Sequence, residues 1–315
     1  MMSNKMRTAV GGKPEGLGVR LKKNGFYYFF GLPGIILLIV FCYFPMKYLV
    51  MAFQDYNPFL DISGSAWVGF KHFEKLFQDV KFYSMLKNTL VISGLTLLTF
   101  PAPIILALIL NEVRNLTYKK LVQTAVYLPH FLSWAIIVSL TFLLLSDQEG
   151  LINKIAAQLG YDTHKYLFDK NWTYPILVIQ SVWKNIGWGS IVYLAAIAGI
   201  DQELYEAAKI DGANKLRMMW KITLPCIMPT IVVMLILRMG TIISVDFEQV
   251  YLMSNAMNRS QTEVFELYIY KYGIASGSTQ LSYTTAIGLF KSVVNTFLVI
   301  VTNKIVSRKG YEGVM

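Results

Sequence analysis

The stretch YEAAKIDGANKLRMMWKITLP, residues 205–225, is polar and carries both charge signs, yet it lies between two long apolar runs. Asp201 precedes it and is a residue type that caps helices, which predicts a helix from Gln202 to Ile210. Gly212 permits a left-handed turn that ends this helix. A second helix, lying against the apolar runs, is predicted by the helical spacing of Leu216, Met219, Trp220 and Leu224. The stretch therefore predicts a helix, turn, helix elbow.

The rest of the chain has the composition of an integral membrane protein. Of its 315 residues, 55% are hydrophobic and 15% are charged, whereas soluble domains are about 45–50% apolar and about 25% charged. A helix needs about 20 mostly apolar residues to cross a bilayer. Six apolar blocks meet this requirement, at residues 26–53, 86–111, 121–146, 174–199, 226–246 and 284–306. The predicted fold class is an all-α integral membrane protein with six transmembrane helices.

The distribution of Lys and Arg predicts the orientation of these helices. With the N-terminus in the cytoplasm, the inner segments hold 16 of these residues and the outer loops hold 8, which obeys the positive-inside rule. Both termini are then cytoplasmic, residues 1–25 form a cytoplasmic N-terminal segment, and the elbow projects into the cytoplasm. The net charge of +10 reflects this orientation. Nucleic-acid binding is not predicted, because Lys and Arg do not cluster with aromatic residues on one soluble face.

Within the elbow, the residues follow a recognisable spacing: Glu206-Ala207-Ala208, then Gly212, then Ile222-x-Leu224-Pro225. This pattern resembles the coupling-loop signature, or EAA loop, of the permease subunits of binding-protein-dependent ABC importers. The resemblance covers nearly the whole chain, through DYNPFL (55–60), WVGFKHFEKLF (67–77), NEVRN (111–115), YLPHFLSW (127–134), GWGSIVYLAAIAGID (187–201) and FEQVYLM (247–253). These segments are similar to sugar permeases for complex oligosaccharides and polysaccharides, historically called lipoprotein or polysaccharide permeases.

The resemblance implies a type I importer fold, with a membrane permease domain at residues 26–315 and a transmembrane core at about 85–306. It also implies several partners: a second homologous permease, two ATP-binding subunits, an extracytoplasmic solute-binding protein, an oligosaccharide substrate and membrane lipid. The chain has no G-x-x-x-x-G-K-[ST] phosphate loop, so ATP and Mg are expected in the partner ATPase and no cofactor is expected in this chain. The expected function is ATP-driven import of an oligosaccharide or polysaccharide fragment by a multi-pass protein of the cytoplasmic membrane.

The elbow is the expected site of coupling to the ATPase. Glu206 is predicted to be the polar anchor at the ATPase, the two following alanines are small enough for close approach, and Gly212 makes the bend. The predicted coupling residues are Glu206, Ala207, Ala208, Asp211, Gly212, Ala213, Ile222, Leu224 and Pro225. The alternative, an amphipathic connector without a coupling role, explains the charges of the elbow but not its complete spacing match.

The fourth predicted span carries residues suited to sugar binding. Sugars are held by hydrogen bonds to hydroxyl groups and by aromatic faces that stack on the rings. Candidates around Gly187 and Gly189 are Trp183, Asn185, Trp188, Ser190 and Tyr193. In related sugar permeases this span and the next line the substrate cavity, and Asn185 and Trp188 fall where a related maltose-type permease contacts sugar. The alternative is that these aromatics pack or lie at the membrane interface, while the glycines serve close helix contact.

The fifth predicted span carries a charge. Arg238 lies about twelve residues into it, where a lone charge costs roughly 2.5 to 3.5 kcal/mol unless it is paired or wetted, so Arg238 is expected to face a cavity. The predicted substrate path continues outward through Thr241, Ser244, Asp246 and Gln249. For an acidic cargo such as a uronate chain, Arg238 and Lys184 are the predicted counter-charges. Alternatively, Arg238 pairs with a carboxylate or backbone carbonyl of the partner permease.

Neither a catalytic site nor a metal site is expected in this chain. The three histidines are scattered, and the sequence has no Ser, His and Asp grouping, no Cys and His grouping, and no H-E-x-x-H helix. A secondary transporter built from three plus three inverted spans is one alternative, weakened because the elbow is not repeated. A membrane-embedded enzyme is another, weakened by the missing site residues.

Overall fold

The computed structural model describes residues 25–275, 280–311 and 313. The two short strands, β1 Gln54–Asp55 and β2 Ala66–Trp67, pair antiparallel. The helices are α1 Gly25–Phe53, α2 Asp61–Gly64, α3 Lys71–Gln78, α4 Val80–Leu98, α5 Pro101–Glu112, α6 Leu116–Tyr127 with a 3-10 turn Leu128–Phe131, α7 Trp134–Leu145, α8 Leu151–Gln158, α9 Lys170–Ala198, α10 Gln202–Ile210, α11 Lys215–Cys226, α12 Met228–Met239, α13 Phe247–Met253, α14 Arg259–Thr262, α15 Phe265–Ile269 and α16 Leu281–Arg308. The described part of the chain is therefore predominantly helical.

Packing divides the chain into two units, residues 1–51 and residues 52–315. Most of α1 belongs to the first unit, and this helix is apolar and long enough to cross a membrane. All the other elements belong to the second unit, which contains the residues of the elbow and of the predicted substrate path. The second unit is therefore the part of the chain that positions both candidate sites.

Three helical runs of the described residues are long and apolar enough to cross a membrane: α1, Val80–Glu112 and α16. Two bent pairs would bring the number to five: α6 with its 3-10 turn joined to α7 at 105°, and α11 joined to α12 at 59°. The predicted fourth span lies in α9, a continuous helix of 29 residues. Its apolar sequence is interrupted by the polar residues Gln180, Lys184 and Asn185, and α9 is not among these runs. The all-α membrane fold is confirmed, whereas the number of six spans stays a prediction.

The predicted third span, 121–146, is not one straight helix. Its 3-10 turn ends at Phe131, and α7 begins only at Trp134. Pro129 lies in that turn and has no backbone N–H to donate, and Ser133 caps α7, because its Oγ accepts from the backbone N–H of Ile136 at 3.3 Å. The two helices therefore meet at a sharp bend, here called the 105° bend.

The predicted fifth span, 226–246, also differs from the structure. Helix α12 ends at Met239, and the chain continues from Gly240 through turns in which the Thr241 N–H donates to the carbonyl oxygen of Arg238 at 3.2 Å. A further seven-residue helix, α13, begins at Phe247. Arg238 is thus the second-to-last residue of a helix, and the polar residues that follow it lie on an irregular segment, 240–246.

Helix α9 is the central element of the second unit. Toward one end, Tyr193 and Ile197 are buried in a cluster with Ile104 of α5 and Ile227. Toward the other end, Leu177 is buried in a second apolar cluster that includes residues of α4, α7 and α13. Both the elbow and the predicted substrate path are therefore built around this one helix.

The backbone of helix α9 approaches that of α6 closely at Gly187. A Cβ atom added there would collide with the carbonyl oxygen of Val126 and would lie 3.0 Å from Cδ1 of Tyr127. Glycine is the residue that allows two helix backbones to approach so closely. Gly187 therefore allows close contact between two helices, which is one of the alternatives that the sequence left open.

Candidate coupling elbow and central cavity

The first helix of the elbow has the predicted bounds. Helix α10 spans Gln202–Ile210, and Oδ1 of Asp201 caps it by accepting from the backbone N–H of Glu203 at 3.0 Å. Gly212 has a φ of +73°, and a Cβ atom added to it would meet nothing within 4 Å. The turn therefore requires a left-handed backbone conformation, while the space around it is open.

The second helix of the elbow begins at Lys215, one residue after a cap that the sequence reasoning missed. Oδ1 of Asn214 accepts from the backbone N–H of Arg217 at 2.8 Å. The prediction that Leu216 and Trp220 lie against the spans is wrong, because these side chains are 65% and 66% exposed. They are four residues apart and share one face of the helix, whereas the buried face carries Thr223.

One contact joins the two helices of the elbow, and two contacts attach the elbow to the rest of the second unit. The hydroxyl groups of Tyr205 and Thr223 are 2.8 Å apart, and the Tyr205 ring packs against the apolar cluster that contains Ile227. Lys215 Nζ donates to Oε2 of Glu112 at the end of α5, at 2.6 Å. Because both partners of this ion pair are substantially exposed, it contributes only about 0–1 kcal/mol. The buried attachment at Tyr205 is therefore the main one.

The outer face of the elbow is exposed and unpaired. The Glu206 carboxylate is exposed and makes no hydrogen bond or ion pair within the described residues, and Ile210, one turn further, is 87% exposed. The predicted coupling residues divide into exposed ones, Glu206, Ala207, Asp211, Gly212 and Pro225, and partly buried ones, Ala208, Ala213, Ile222 and Leu224. A surface that combines an unpaired carboxylate with exposed apolar side chains is suited to protein contact.

A polar cavity of about 300 Å³, here called the central cavity, lies among α4, α7, α9, α12, segment 240–246 and α13. Six residues of the predicted substrate path line it: Asn185, Arg238, Thr241, Ser244, Asp246 and Gln249. Of the seven other lining residues, the sequence reasoning missed four that carry a hydrogen-bonding side chain: Ser93, Thr96, Trp134 and Ser181. Ser93 and Thr96 are polar residues three positions apart in an otherwise apolar span, and this pattern is the signal that would have found them.

A second cavity of about 260 Å³, here called the side cavity, adjoins the central one. Thr96, Ser181, Asn185 and Arg238 line both cavities. Tyr193 of the predicted path lines only the side cavity, whose other walls are mostly apolar. Arg238 and Asn185 therefore stand between a polar compartment and an apolar one.

Two opposite charges line the central cavity without pairing. The Arg238 guanidinium and the Asp246 carboxylate make no hydrogen bond or ion pair with any side chain in the described part of the chain. An unpaired ion in a membrane segment is costly. Both groups are therefore available to water, to a ligand or to another subunit.

Gln249 presents an acceptor to the same cavity. Its Nε2 donates to the carbonyl oxygen of Leu177 at 2.7 Å and to Oε1 of Gln180 at 3.0 Å. Because the Leu177 oxygen can only accept, the orientation of the Gln249 amide is fixed. The side chain of Gln249 is 2% exposed and lines the cavity. Its other polar atom, the side-chain carbonyl oxygen, receives no hydrogen bond from the described residues.

Three residues of the predicted substrate path line neither cavity. Trp183 is 43% exposed. One face of the Trp188 ring stacks on His130, with the ring centroids 4.5 Å apart and the planes 3° apart. Ser190 is buried and donates to the carbonyl oxygen of Gly187 at 2.6 Å. Trp188 and Ser190 therefore make contacts within the chain, whereas the Trp183 side chain lies at the surface.

Lys184, the second predicted counter-charge, is turned away from both cavities. Its Nζ donates to the carbonyl oxygens of His130, at 3.2 Å, and of Leu132. It also lies 5.2 Å from the centre of the Trp134 ring. The hydrogen bonds of Lys184 are therefore made to the backbone of the 105° bend.

Metal-ligand side chains do not gather in this fold. Among the residues that the structure describes, no three or more His, Cys, Asp and Glu side chains come close enough to hold a metal ion.

Comparison with known proteins agrees with this geometry. Residues 99–310 match the family model described as "Binding-protein-dependent transport system inner membrane component". The polygalacturonan/rhamnogalacturonan transport system permease protein YteP of Bacillus subtilis is 48% identical over 303 residues, covering 96% of this chain and 94% of YteP. Protein LplB of the same organism is 47% identical over 294 residues, covering 93% of this chain and 92% of LplB.

The fold is also similar to a solved transporter. A chain in the crystal structure of a bacterial alginate ABC transporter, in complex with an alginate pentasaccharide-bound periplasmic protein, superposes with a TM-score of 0.85. That chain is 40% identical, and the match covers 95% of this chain and 99% of that one. The type I importer fold implied by the elbow is confirmed.

These comparisons decide between the classes that the sequence left open. Subunits of this family are the membrane-spanning, non-catalytic parts of ABC transporters, so the prediction that this chain is not an enzyme is confirmed. A secondary transporter and a membrane-embedded enzyme are both contradicted. The chain belongs to the family of binding-protein-dependent transport system inner membrane components, and it is a multi-pass permease subunit of an ABC importer.

Proposed function

We propose that this permease imports an acidic oligosaccharide, a chain of uronate residues, through the central cavity. The observation that carries the proposal is the Arg238 guanidinium, a cation that lines the cavity and has no side-chain partner among the described residues. A guanidinium matches a carboxylate through two parallel hydrogen bonds. The names of similar proteins support the same cargo class, since one is a polygalacturonan/rhamnogalacturonan permease and another belongs to an alginate transporter.

The remaining groups of the cavity suit the hydroxyl groups of a sugar. The Gln249 carbonyl oxygen accepts hydrogen bonds, and the hydroxyl groups of Ser93, Thr96 and Ser181 can both donate and accept. Trp134 adds an aromatic ring to the wall. Asp246 accepts from hydroxyl groups and repels a second carboxylate, which places the carboxylate of the cargo on the Arg238 side. The volume of about 300 Å³ lies at the lower end of ligand pockets, which are about 300–1,000 Å³.

The elbow is proposed to carry the mechanical coupling. Its exposed carboxylate at Glu206 and its apolar neighbour Ile210 would sit in a groove of an ATP-binding subunit, as an amphipathic helix does. Tyr205 and the cluster around Ile227 would pass the movement to α9 and α12, which line the cavity. Under this proposal, two ATPase subunits hold ATP and Mg, and this chain holds neither.

The assembly and orientation follow from the same proposal. A second homologous permease would complete the route, and an extracytoplasmic solute-binding protein would deliver the cargo. Both termini and the elbow would lie in the cytoplasm, as the distribution of Lys and Arg predicts. Residues 1–25 would form the cytoplasmic N-terminal segment, and 26–315 the permease domain with its core at about 85–306.

The cargo is tested in the reconstituted transporter with its partner permease, ATPases and binding protein. We expect a binding protein loaded with oligogalacturonate to stimulate ATP hydrolysis and to deliver the cargo into proteoliposomes. Carboxyl-reduced oligogalacturonate, which has the same ring sequence without the charge, should be transported poorly. Equal transport of the charged and reduced forms would overturn the acidic-cargo proposal while leaving the permease assignment intact.

A substitution at Gln249 should change this selectivity. Gln249→Glu removes the donor to Leu177 and adds an anion to the wall of the central cavity, where it can pair with Arg238. We expect uptake of oligogalacturonate to fall about tenfold, the equivalent of about 1.4 kcal/mol, and uptake of the reduced form to fall less. Initial rates of uptake measure both. Gln158→Glu at the exposed end of α8 is the matched control, and an equal loss for both cargoes would show that Gln249→Glu only disturbs packing.

A further inference from the structure

The 105° bend leaves backbone groups without helical partners. No backbone N–H of the described residues donates to the carbonyl oxygen of His130 or to that of Leu132, the two oxygens that precede α7. The C-terminal end of a helix, here that of α6 with its 3-10 turn, carries unsatisfied carbonyls and the negative end of the helix dipole. Within a membrane, a break of this kind persists only where neighbouring groups satisfy the freed backbone.

Lys184 on α9 supplies the missing donors. Its ammonium group donates to both carbonyl oxygens, and the face of the Trp134 ring lies 5.2 Å from it. An ammonium has three donors and no acceptor, so one side chain satisfies two orphan oxygens and adds a cation–π contact. These contacts offset the cost of removing the ammonium group from water, so Lys184 needs no carboxylate partner.

The neighbours of Lys184 on α9 contact the same bend. Nδ1 of His130 donates to Oδ1 of Asn185 at 3.3 Å, while the His130 ring stacks on Trp188. Gly187, between them on α9, lets the backbone of α6 approach at Val126. The residues at positions 184, 185 and 188 of α9 therefore all contact the bend.

Two residues held in this way belong to the wall of the central cavity. Asn185 lines both cavities, and Trp134 is the first residue of α7 and lines the central one. We propose that Lys184 is a positioning residue: by donating to the carbonyl oxygens of His130 and Leu132 it fixes the 105° bend, and so places Trp134 and Asn185 for transport. Its charge serves the protein's own backbone, and of the two predicted counter-charges only Arg238 lines the central cavity.

The first test measures the bend itself and does not depend on the proposed cargo. With Cys42 and Cys226 replaced by Ser, spin labels are placed at Leu121 of α6 and Leu143 of α7, which are 67% and 64% exposed, in the assembled transporter. We expect Lys184→Met to shift or broaden the distance between the labels, and Lys184→Arg to preserve it. Lys170→Met, an exposed lysine of the same helix, should leave it unchanged. An unchanged distance in Lys184→Met would overturn the proposal.

The second test, which rests on the proposed function, separates positioning from cargo binding. We expect Lys184→Met to lower the maximal rate of uptake about tenfold for oligogalacturonate and for its carboxyl-reduced form alike. A loss confined to the acidic form, together with an unchanged label distance, would identify Lys184 as a counter-charge instead. If Lys184→Met does not assemble, Lys184→Gln retains two N–H donors without the charge and should keep the bend. A changed label distance in the assembled Gln variant would then contradict the proposal.

Discussion

Gly212→Val is expected to abolish uptake while the permease still reaches the membrane. The φ of +73° at Gly212 is a left-handed conformation that costs about 1–2 kcal/mol for an ordinary L-residue and more for a β-branched one. The elbow can relieve this strain by moving its turn, because the ion pair beside it is exposed and contributes about 0–1 kcal/mol. Such a movement would displace Glu206 from the position that the proposed ATPase contact requires.

Two measurements check this result. Co-purification of the ATP-binding subunits with the permease should be lost, and stimulation of ATP hydrolysis by the loaded binding protein should fall at least about tenfold, since 1.4 kcal/mol corresponds to a factor of ten. The amount of permease in the membrane should remain close to that of the wild type, because Gly212 lies in an exposed turn and belongs to none of the apolar clusters.

The control for Gly212→Val is Gly212→Asn. Asn is several-fold enriched in the left-handed region, and the space around a Cβ at this position is open, so the Asn variant should retain most of the uptake. The comparison isolates the backbone from the bulk of the side chain. Equal activity of the Val and Asn variants would contradict the requirement for a left-handed turn, and full activity of the Val variant would contradict the coupling role of the elbow.

Arg238→Gln is expected to remove most of the transport of an acidic cargo. Truncating one partner of a buried, hydrogen-bonded charge pair costs about 2–5 kcal/mol, so the KM for the oligogalacturonate-loaded transporter, or its maximal rate, should worsen at least about 30-fold. Gln keeps an N–H donor and removes the charge, although its side chain is shorter than that of Arg. Initial uptake rates over a range of cargo concentrations measure the effect.

The discriminating comparison uses the carboxyl-reduced cargo. If Arg238 binds a carboxylate, its replacement should erase the preference for the charged oligosaccharide, and the rates for the two forms should converge. Arg238→Lys retains the charge but not the planar fork, so it should retain part of the preference. An equal loss for both cargoes would instead indicate that Arg238 pairs with the second permease, the alternative that the sequence left open.

The local signals in the sequence were sufficient for the first half of the elbow. A capping residue at Asp201, helix formers up to Ile210 and a glycine at 212 act within a few residues of one another, and the structure has the helix bounds that they predict. The second half was predicted less well. Apolar spacing placed Leu216 and Trp220 against the spans, but spacing identifies only a shared face and does not say which protein covers it.

The breaks in the spans show a second limit. Apolar composition predicted single spans at 121–146 and 226–246, with a kink expected at Pro129. Pro129, Ser133 and Gly240 mark the positions where the structure interrupts these spans. Hydropathy averages over such residues, because one helix breaker changes the mean of a window very little. The turn chemistry of these few residues was therefore more informative than the composition around them.

The cavity was only partly predictable for a physical reason. Arg238 could be placed in a cavity because an unpaired charge in a membrane is costly wherever its partners lie. The partners of Lys184, in contrast, are backbone oxygens more than fifty residues away along the chain, and no pattern of residue types encodes them. Trp183, Trp188 and Ser190 line neither cavity, and any sugar contact by them stays a prediction.

The polarity of α9 bears on how the protein is made. A lysine near the middle of a helix opposes its insertion into lipid by about 2.5–3.5 kcal/mol, and α9 also carries Gln180, whose Nε2 donates to Oγ1 of Thr141 on α7 at 2.7 Å. Lys184 finds its partners in the 105° bend, and Gln180 finds one of its partners on α7, and both of these precede α9 in the chain. During synthesis, α9 is therefore expected to leave the translocon only when those earlier helices are already inserted next to it. The order of translation itself then assists the entry of α9 into the bilayer.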